Sequence, residues 1–404
     1  MSVKDYKVRA AHCHHRASES KIYETLQRIT DPLDRSWAKL EAADRVVLKF
    51  NMMKLPHGLH YFAGRRRELV DEAVCRSVLK LLREKTTAEL IVTDTNPYTK
   101  DHLMGNDFNY AHILREFDAH FVDSNAEPIK SYEVPGGGLM FDRYQLSGCF
   151  EGAEVVSVAK MKNHLFMGVT LCMKNLFGLP PITMPKGRAR SYYHHFIRLS
   201  YVLPDLGIIT NPCLNIVDAL TGQWGREWDG EGRICNALIA GDQVTATDAC
   251  VTSLMGHDPA SDWPIPPFRR DSNHLLVAAK HGFGTVILGD IDFESEVEGP
   301  LAEFDSESTD SESTVASWRR TTCEQALFYR DRSRELIDQH RGKYIFLQDG
   351  EVVWSGENPA NLGSRRKLSG EKKDQAMWLK LVDPDETEGE RFASYDECLS
   401  TNVA

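Results

Sequence analysis

The sequence predicts an α/β protein, a mainly parallel sheet flanked by helices, with a small carboxyl-terminal α+β unit. Three observations carry that prediction. Short β-branched runs alternate with stretches of helical period, the pattern of parallel strands joined by crossover helices. Residues 290–314 hold ten Asp or Glu and no Lys or Arg, which marks a break between units. Beyond it, two alternating runs flank Asp349-Gly350, a dipeptide suited to a two-residue hairpin turn.

In chain order, residues 45–50 (RVVLKF) form the first strand. Residues 68–82 follow with apolar side chains at 70, 74, 78 and 81, a helical spacing, and residues 88–92 (AELIV) form a second buried strand. The connection is long enough for a right-handed parallel crossover. Further strands are expected at 120–122, 153–159, 214–217, 237–240 and 285–288, with helices at 243–255 and 272–281. Pro135-Gly136-Gly137-Gly138 lacks the spacing of a phosphate-binding loop and a buried strand before it, so it is expected as a turn. Past the acidic stretch, a helix at 322–339, the hairpin strands 343–347 and 351–354, and a third strand within 376–382 make up the small unit. The resulting division is 1–40 as an amino-terminal extension, 41–293 as the α/β domain, 294–316 as an acidic linker and 317–404 as the α+β unit.

Composition excludes several classes. With 404 residues and 42% hydrophobic content the chain can bury one large core or two. A net charge of -11 argues against nucleic acid as a partner, since neutralising phosphates needs a basic surface, and GRRR at 64–67 is too short to supply one. No run of eighteen apolar residues exists and the amino terminus has no apolar signal core, so the expectation is a cytoplasmic protein with no membrane partner. Nine cysteines are scattered without a C-x-x-C, so the cofactor is unknown: a metal or an iron-sulfur cluster gains no support from local Cys spacing. The oligomeric state is likewise unknown.

The densest chemistry lies in residues 160–175, where Lys160, Lys162, Lys174, Asn163, Asn175 and His164 sit among residues that otherwise look like core. Buried ammonium groups are costly unless paired, so those heads must reach solvent, carboxylates or a ligand. Lysine stems lying along a core with their heads in water would fit the composition equally well. Position favours a site, because residues 153–159 look like a buried strand and open α/β sheets bind ligands at the carboxyl ends of strands. Other strand ends add Lys49 and Asn51; Thr93, Asp94, Thr95 and Asn96; Asp218; and Gly241 with Asp242. Asp242 is expected as the N-cap of helix 243–255, while Asp94 and Asp218 have no evident helix to cap. Among histidines, His12, His14 and His15 look like surface, His57 and His60 like loop, and one of His194 and His195 faces the cleft.

Lys, Asn and His together suit an anionic ligand. Ammonium groups offset carboxylate or phosphate charge, asparagine fixes orientation, and a lysine beside another cation has a depressed pKa and can act as a base.

With those residues placed, KMKNHLFMGVTLCMKNLFGLPP at 160–181 resembles the central signature of the domain of unknown function 362 family. VVLKFN at 46–51, the Ile-x-Asp at 216–218 and AGDQVTATDACVTSLMG at 240–256 resemble its other landmarks, so the likeness covers about residues 40–293. Asn163 stands where the family usually has threonine, and GQWGREWDGEG at 222–232 matches its Glu-Gly-x-Gly-Pro segment only loosely. The carboxyl-terminal GKYIFLQDGEVVWSGEN resembles a separate small family, domain of unknown function 5678.

The expected function is an enzyme, of oxidoreductase or isomerase type, acting on a small anionic metabolite, with metal or redox assistance left open. His164, Lys162 and Lys174 are the catalytic candidates, and Lys160, Asn175, Asn51, Lys49, Asp94 and Asp218 the substrate-binding ones. The alternatives are a non-catalytic metabolite-binding or scaffold protein, and an iron-sulfur protein built on dispersed cysteines such as Cys172 and Cys213.

Overall fold

The computed structural model describes residues 5–52, 54, 58–95, 110–182, 190–357, 375–387 and 389–401; His57 and Asn96 lie outside them. The chain opens with β1 (Tyr6–His12), which pairs antiparallel with residues 237–241 and parallel with residues 291–295. The expected amino-terminal extension is thus corrected, because this segment builds and covers the main sheet. Lys7 and Arg9 disguise the strand in the sequence, yet Arg9 is held within the sheet by Asp292 at 2.8 Å and Glu294 at 3.3 Å. α1 (Glu19–Thr30) and α2 (Asp34–Ala42) then bury Ile22, Leu26, Trp37 and Leu40 against one face.

β2 (Arg45–Phe50) coincides with the expected first strand. A small hairpin, β3 (Tyr61–Phe62) and β4 (Arg65–Arg66), precedes α3 (Glu72–Lys85), whose N-cap Asp71 accepts from the Ala73 amide. β5 (Glu89–Asp94), α4 (Ala111–Glu116) and β6 (Ala119–Asp123) extend the sheet outward, each strand parallel to the one before. The chain then makes an antiparallel ribbon, β7 (Ile129–Glu133) and β8 (Arg143–Ser147), with Pro135 to Gly138 in its turn region.

It returns on the other side of β2 as β9 (Glu154–His164), parallel to β2. Neighbouring strands whose connections leave in opposite directions define a topological switch point, where the carboxyl ends open a crevice. β9 is longer than the strand expected at 153–159. β10 (Gly168–Thr170) folds back on residues 162–164 and supplies their backbone partners, so the strand continues to His164. Lys160, Lys162 and His164 are therefore alternate residues of a strand, not loop residues beyond its end.

Two short helical steps, α5 (Cys172–Asn175) and α6 (Arg190–Tyr193), and the longer α7 (Arg198–Thr210) lead to β11 (Leu214–Trp224), parallel to β9, and β12 (Glu231–Gly241), antiparallel to β11. α8 (Val244–Leu254) is capped by Gln243, whose side chain accepts from the Ala246 amide at 2.8 Å. The N-cap role expected of Asp242 is corrected: its carboxylate accepts from the Lys7 amide at 2.9 Å and pairs with Arg35. After α9 (His274–Lys280) the strand expected at 285–288 is also displaced. It forms instead as β13 (Ile291–Ser295), whose Asp292 and Glu294 hide it within the acidic stretch. The sheet order is β13-β1-β12-β11-β9-β2-β5-β6, and only β12 runs against the rest of this path. Both faces are covered: Val156 and Val158 of β9 join the core under α1 to α4, and Val155 and Ala159 join the core of the opposite face.

The acidic stretch is not a loose linker. Phe304 is buried, and Asp305 and Asp310 pair with Arg269 and Arg270 of the main body. α10 (Glu312–His340), capped by Ser311, begins earlier than residue 322. β14 (Tyr344–Gln348), β15 (Glu351–Gly356) and β16 (Trp378–Leu381) form an antiparallel sheet in the order β15-β14-β16. Asp349 and Gly350 both take positive φ, 57° and 75°, as the tight hairpin turn requires. α11 (Ala393–Thr401) closes the unit, and its Tyr395 joins Tyr329, Trp378 and the apolar residues of α7 in one buried cluster.

Candidate functional site

At the switch point the carboxyl ends of β2, β5 and β9 meet α5. Lys49 leaves β2 and donates three hydrogen bonds: to Phe50 O at 2.8 Å, Asp94 Oδ2 at 2.9 Å and Asn175 Oδ1 at 2.9 Å. Burial lowers the Lys49 pKa and raises that of Asp94, while their mutual contact works against both shifts. Asn175 is equally engaged, with Nδ2 donating to Lys49 O at 2.7 Å, and to Ser157 Oγ and Val158 O at 3.2 Å. Gly178 closes over this group. A Cβ there would lie 2.4 Å from Asp94 Oδ1 and 2.6 Å from Lys49 Cε, so a larger residue would have to push the Lys49–Asp94 pair aside.

A second buried pair sits behind it. Lys160 donates to Asp218 Oδ2 and Thr221 Oγ1, both at 3.1 Å, and Asp218 also accepts from the Asp71 amide at 2.8 Å. Lys160 and Asp218 thereby fix the start of α3, and neither lines the cavity in front of them.

That cavity has a volume of about 600 Å³. Lys49, Asn51, Asp94, Lys162, Lys174 and Asn175 line it, together with His164. The structure thus brings seven of the nine expected residues to one space, in unequal states. Lys49, Asp94 and Asn175 are paired among themselves and form a rigid floor. Lys162 instead donates to two neutral acceptors, Glu68 O at 2.8 Å and Glu227 O at 3.2 Å, and lies 4.8 Å from the Trp228 ring centre. Burial lowers its pKa to about 7. Lys174 has no hydrogen-bond or ion-pair partner among the described residues; it rests 4.6 Å from the Phe177 ring centre, and burial lowers its pKa to about 8.

His164 is fixed by the turn that joins β9 to β10. Its Nδ1 accepts from the Phe166 amide at 3.0 Å and the Met167 amide at 3.2 Å, and Gly168 completes the turn with φ 77°. An acceptor Nδ1 places the proton on Nε2. Burial holds the ring pKa well below the usual imidazole range, with Lys174 and other nearby cations adding to the effect. With Nδ1 accepting, the His164 ring offers an N–H donor at Nε2. Burial thus disfavours the imidazolium form on which the expected acid and base role would draw.

Arg190, Thr170 and Glu227 are wall residues that the sequence did not single out, whereas His194 is the member of the 194–195 pair that reaches the cleft, where one of the two was expected. Arg190 donates to Thr95 Oγ1, and His194 stands 6.4 Å from the His164 ring centre, whereas His195 does not line the cavity. Glu227 accepts from the Leu165 amide at 3.0 Å and, with Trp228, comes from the loosely matching segment 222–232. Thr170 Oγ1 and Asn51 Oδ1 are buried, line the cavity and have no partner among the described residues. Unpaired buried polar atoms in a cleft point to a ligand or to water.

A metal is poorly served at the mouth. His60, Glu68 and Asp229 place ligand atoms within 4.8 Å of one another, but Lys54 at 2.6 Å and Arg67 at 3.0 Å already occupy the Glu68 oxygens. Burial alone would raise the Glu68 pKa; Lys54, the Asp229 amide, His60 and Arg67 bring it to about 2. Cys172 points its thiol at the Ser157 and Ile216 carbonyls inside the core, and among the described residues no cysteine joins a group with metal-ligand spacing.

Fold and site define an open α/β protein with a cation-rich crevice at its switch point. The chain belongs to the family described as Domain of unknown function (DUF362), whose sequence profile matches residues 46–253. It is also similar to a thylakoid-associated protein of Synechocystis sp., 22% identical over 246 residues that span 59% of this chain and 71% of the relative. Among the described residues no helix is long and apolar enough to cross a membrane.

Proposed function

We propose that this protein is an enzyme that binds a small carboxylate or phosphate metabolite in the switch-point cavity and moves a proton with Lys162. The observation that carries the reading is the contrast between Lys49, fully paired, and Lys162 and Lys174, which face the cavity with no carboxylate in contact among the described residues. Lys174 and Arg190 hold the anion. The His164 Nε2–H and the Thr170 hydroxyl orient it. Lys162, with a pKa brought to about 7 by burial, is neutral often enough to take a proton from the bound ligand, and the cations around it stabilise the charge left behind.

The test uses solvent exchange. Small carboxylates and phosphate esters incubated with the protein in heavy water are followed by proton NMR for loss of a C–H signal, and binding of sulfate and malonate is measured by calorimetry. Lys162→Met is expected to abolish exchange while Lys174→Met abolishes binding. Full exchange by the Lys162→Met protein would remove lysine from the chemistry. Sulfate and malonate bound equally by wild type and Lys174→Met would remove the anion site.

A further inference from the structure

Arg190 and His194 hang from α6 and from the short connection that leads into α7. That connection turns at Ile197, with φ 68° and ψ -55°, and the Arg198 amide donates to Phe196 O at 2.8 Å across the turn. This is a γ-turn of the strained hand, on a β-branched residue for which positive φ is an outlier. Such a conformation persists only where its surroundings over-determine it.

Asp271 supplies the restraint. Its Oδ2 accepts from the Ile197 amide at 2.8 Å, while its Oδ1 accepts from the Ser272 amide at 2.8 Å and from Arg319 Nη1 at 2.6 Å. Arg319 belongs to α10, outside the segment that the family profile covers. Its guanidinium also donates to Ser272 Oγ at 2.9 Å and lies 4.7 Å from the Trp263 ring centre, so its geometry is set from several sides. The next residue, Arg198, is gripped in turn by Glu390 at 2.7 Å.

We propose that Arg319 is a positioning residue: through Asp271 it holds the Ile197 turn and so keeps His194 and Arg190 in the cavity wall. The carboxyl-terminal unit thereby completes a site whose floor belongs to the main sheet. The proposal rests on the anion-binding reading for its affinity readout but not for its geometry. Without Arg319, Asp271 would be a buried unpaired carboxylate, inclined to take a proton or to draw in water, and in either state a weaker anchor for the strained turn.

The experiment uses the full chain with Arg319→Ala and Arg319→Lys. Sulfate affinity is measured by calorimetry, and the His194 ring resonances by carbon–proton NMR, assigned with His194→Asn. Arg319→Ala is expected to shift the His194 resonances and weaken sulfate at least tenfold, with Arg319→Lys recovering part of both. Unshifted resonances with wild-type sulfate affinity in Arg319→Ala would overturn the proposal. If Arg319→Ala does not fold, Arg319→Gln, which keeps a donor toward Asp271 without the charge, is judged by the same two readouts. A wild-type protein that binds no sulfate, with His194 still shifted in the variant, would overturn the anion reading and support the positioning role.

Discussion

Asn175 is bonded to both ends of Lys49: its Oδ1 accepts from the ammonium at 2.9 Å and its Nδ2 donates to the backbone carbonyl at 2.7 Å. The same amide reaches the Val158 carbonyl, so one side chain ties β2 to β9 where their connections diverge. Asn175 is therefore a structural clamp under the cavity that it also lines. Asn175→Ala strips a buried ammonium of one acceptor and the Lys49 carbonyl of its side-chain donor, while the Val158 carbonyl keeps the Asn51 amide at 3.0 Å, a loss of about 3 kcal/mol in folding stability. Urea unfolding checks this, and a change near zero would mean that the clamp is not needed.

Lys162 gives stability and binding opposite dependences on pH. Its pKa falls from the ordinary lysine value to about 7 in the folded protein. Above pH 7 the unfolded chain still binds a proton there that the folded chain has released. Its contribution therefore rises with pH from about 7 until the ordinary lysine pKa of about 10.4 is reached. A bound anion favours the ammonium form, so sulfate binding near pH 7.5 is expected to take up protons. Calorimetry in two buffers of different ionisation heat measures the uptake. Lys162→Met should reduce it, and an unchanged uptake in that variant would assign the proton to another group.

The turn around His164 makes a spectroscopic prediction. With two amides donating to Nδ1 and a pKa held well below the usual range, nitrogen NMR at pH 5 should show a neutral ring protonated on Nε2. The sign for stability is the reverse of a salt-bridged histidine: the unfolded ring gains a proton below about pH 6.5 and the folded one does not, so stability is lost as the pH falls through that value. A ring that titrates between pH 6 and 7 would contradict this account and reopen a role in proton transfer.

Much of the switch point was legible in sequence because buried parallel strands are written as apolar runs. RVVLKF became β2 unchanged, and the residues after it and after residues 153–159 do meet in one crevice. The edges were not legible for the same reason. β1 carries Lys7 and Arg9, and β13 carries Asp292 and Glu294, so each looked polar alone although the two neutralise each other side by side. The wall contributed by Arg190 had no distinguishing local pattern, because a single arginine is common on any surface, and Thr170 and Glu227, though inside the segments 160–181 and 222–232, carried no cue of their own that they face the cavity.

The sequence by itself determined that lysine, asparagine and histidine gather at strand ends, since residue type and apolar periodicity are local properties. The tertiary structure decided which of those lysines is paired. Lys49 meets Asp94, Lys160 meets Asp218, and Lys162 and Lys174 meet neither, a difference set by which strand lies beside which. Charge pairing is a through-space relation between residues 45 and 58 positions apart, and only the folded sheet brings such partners within hydrogen-bond reach.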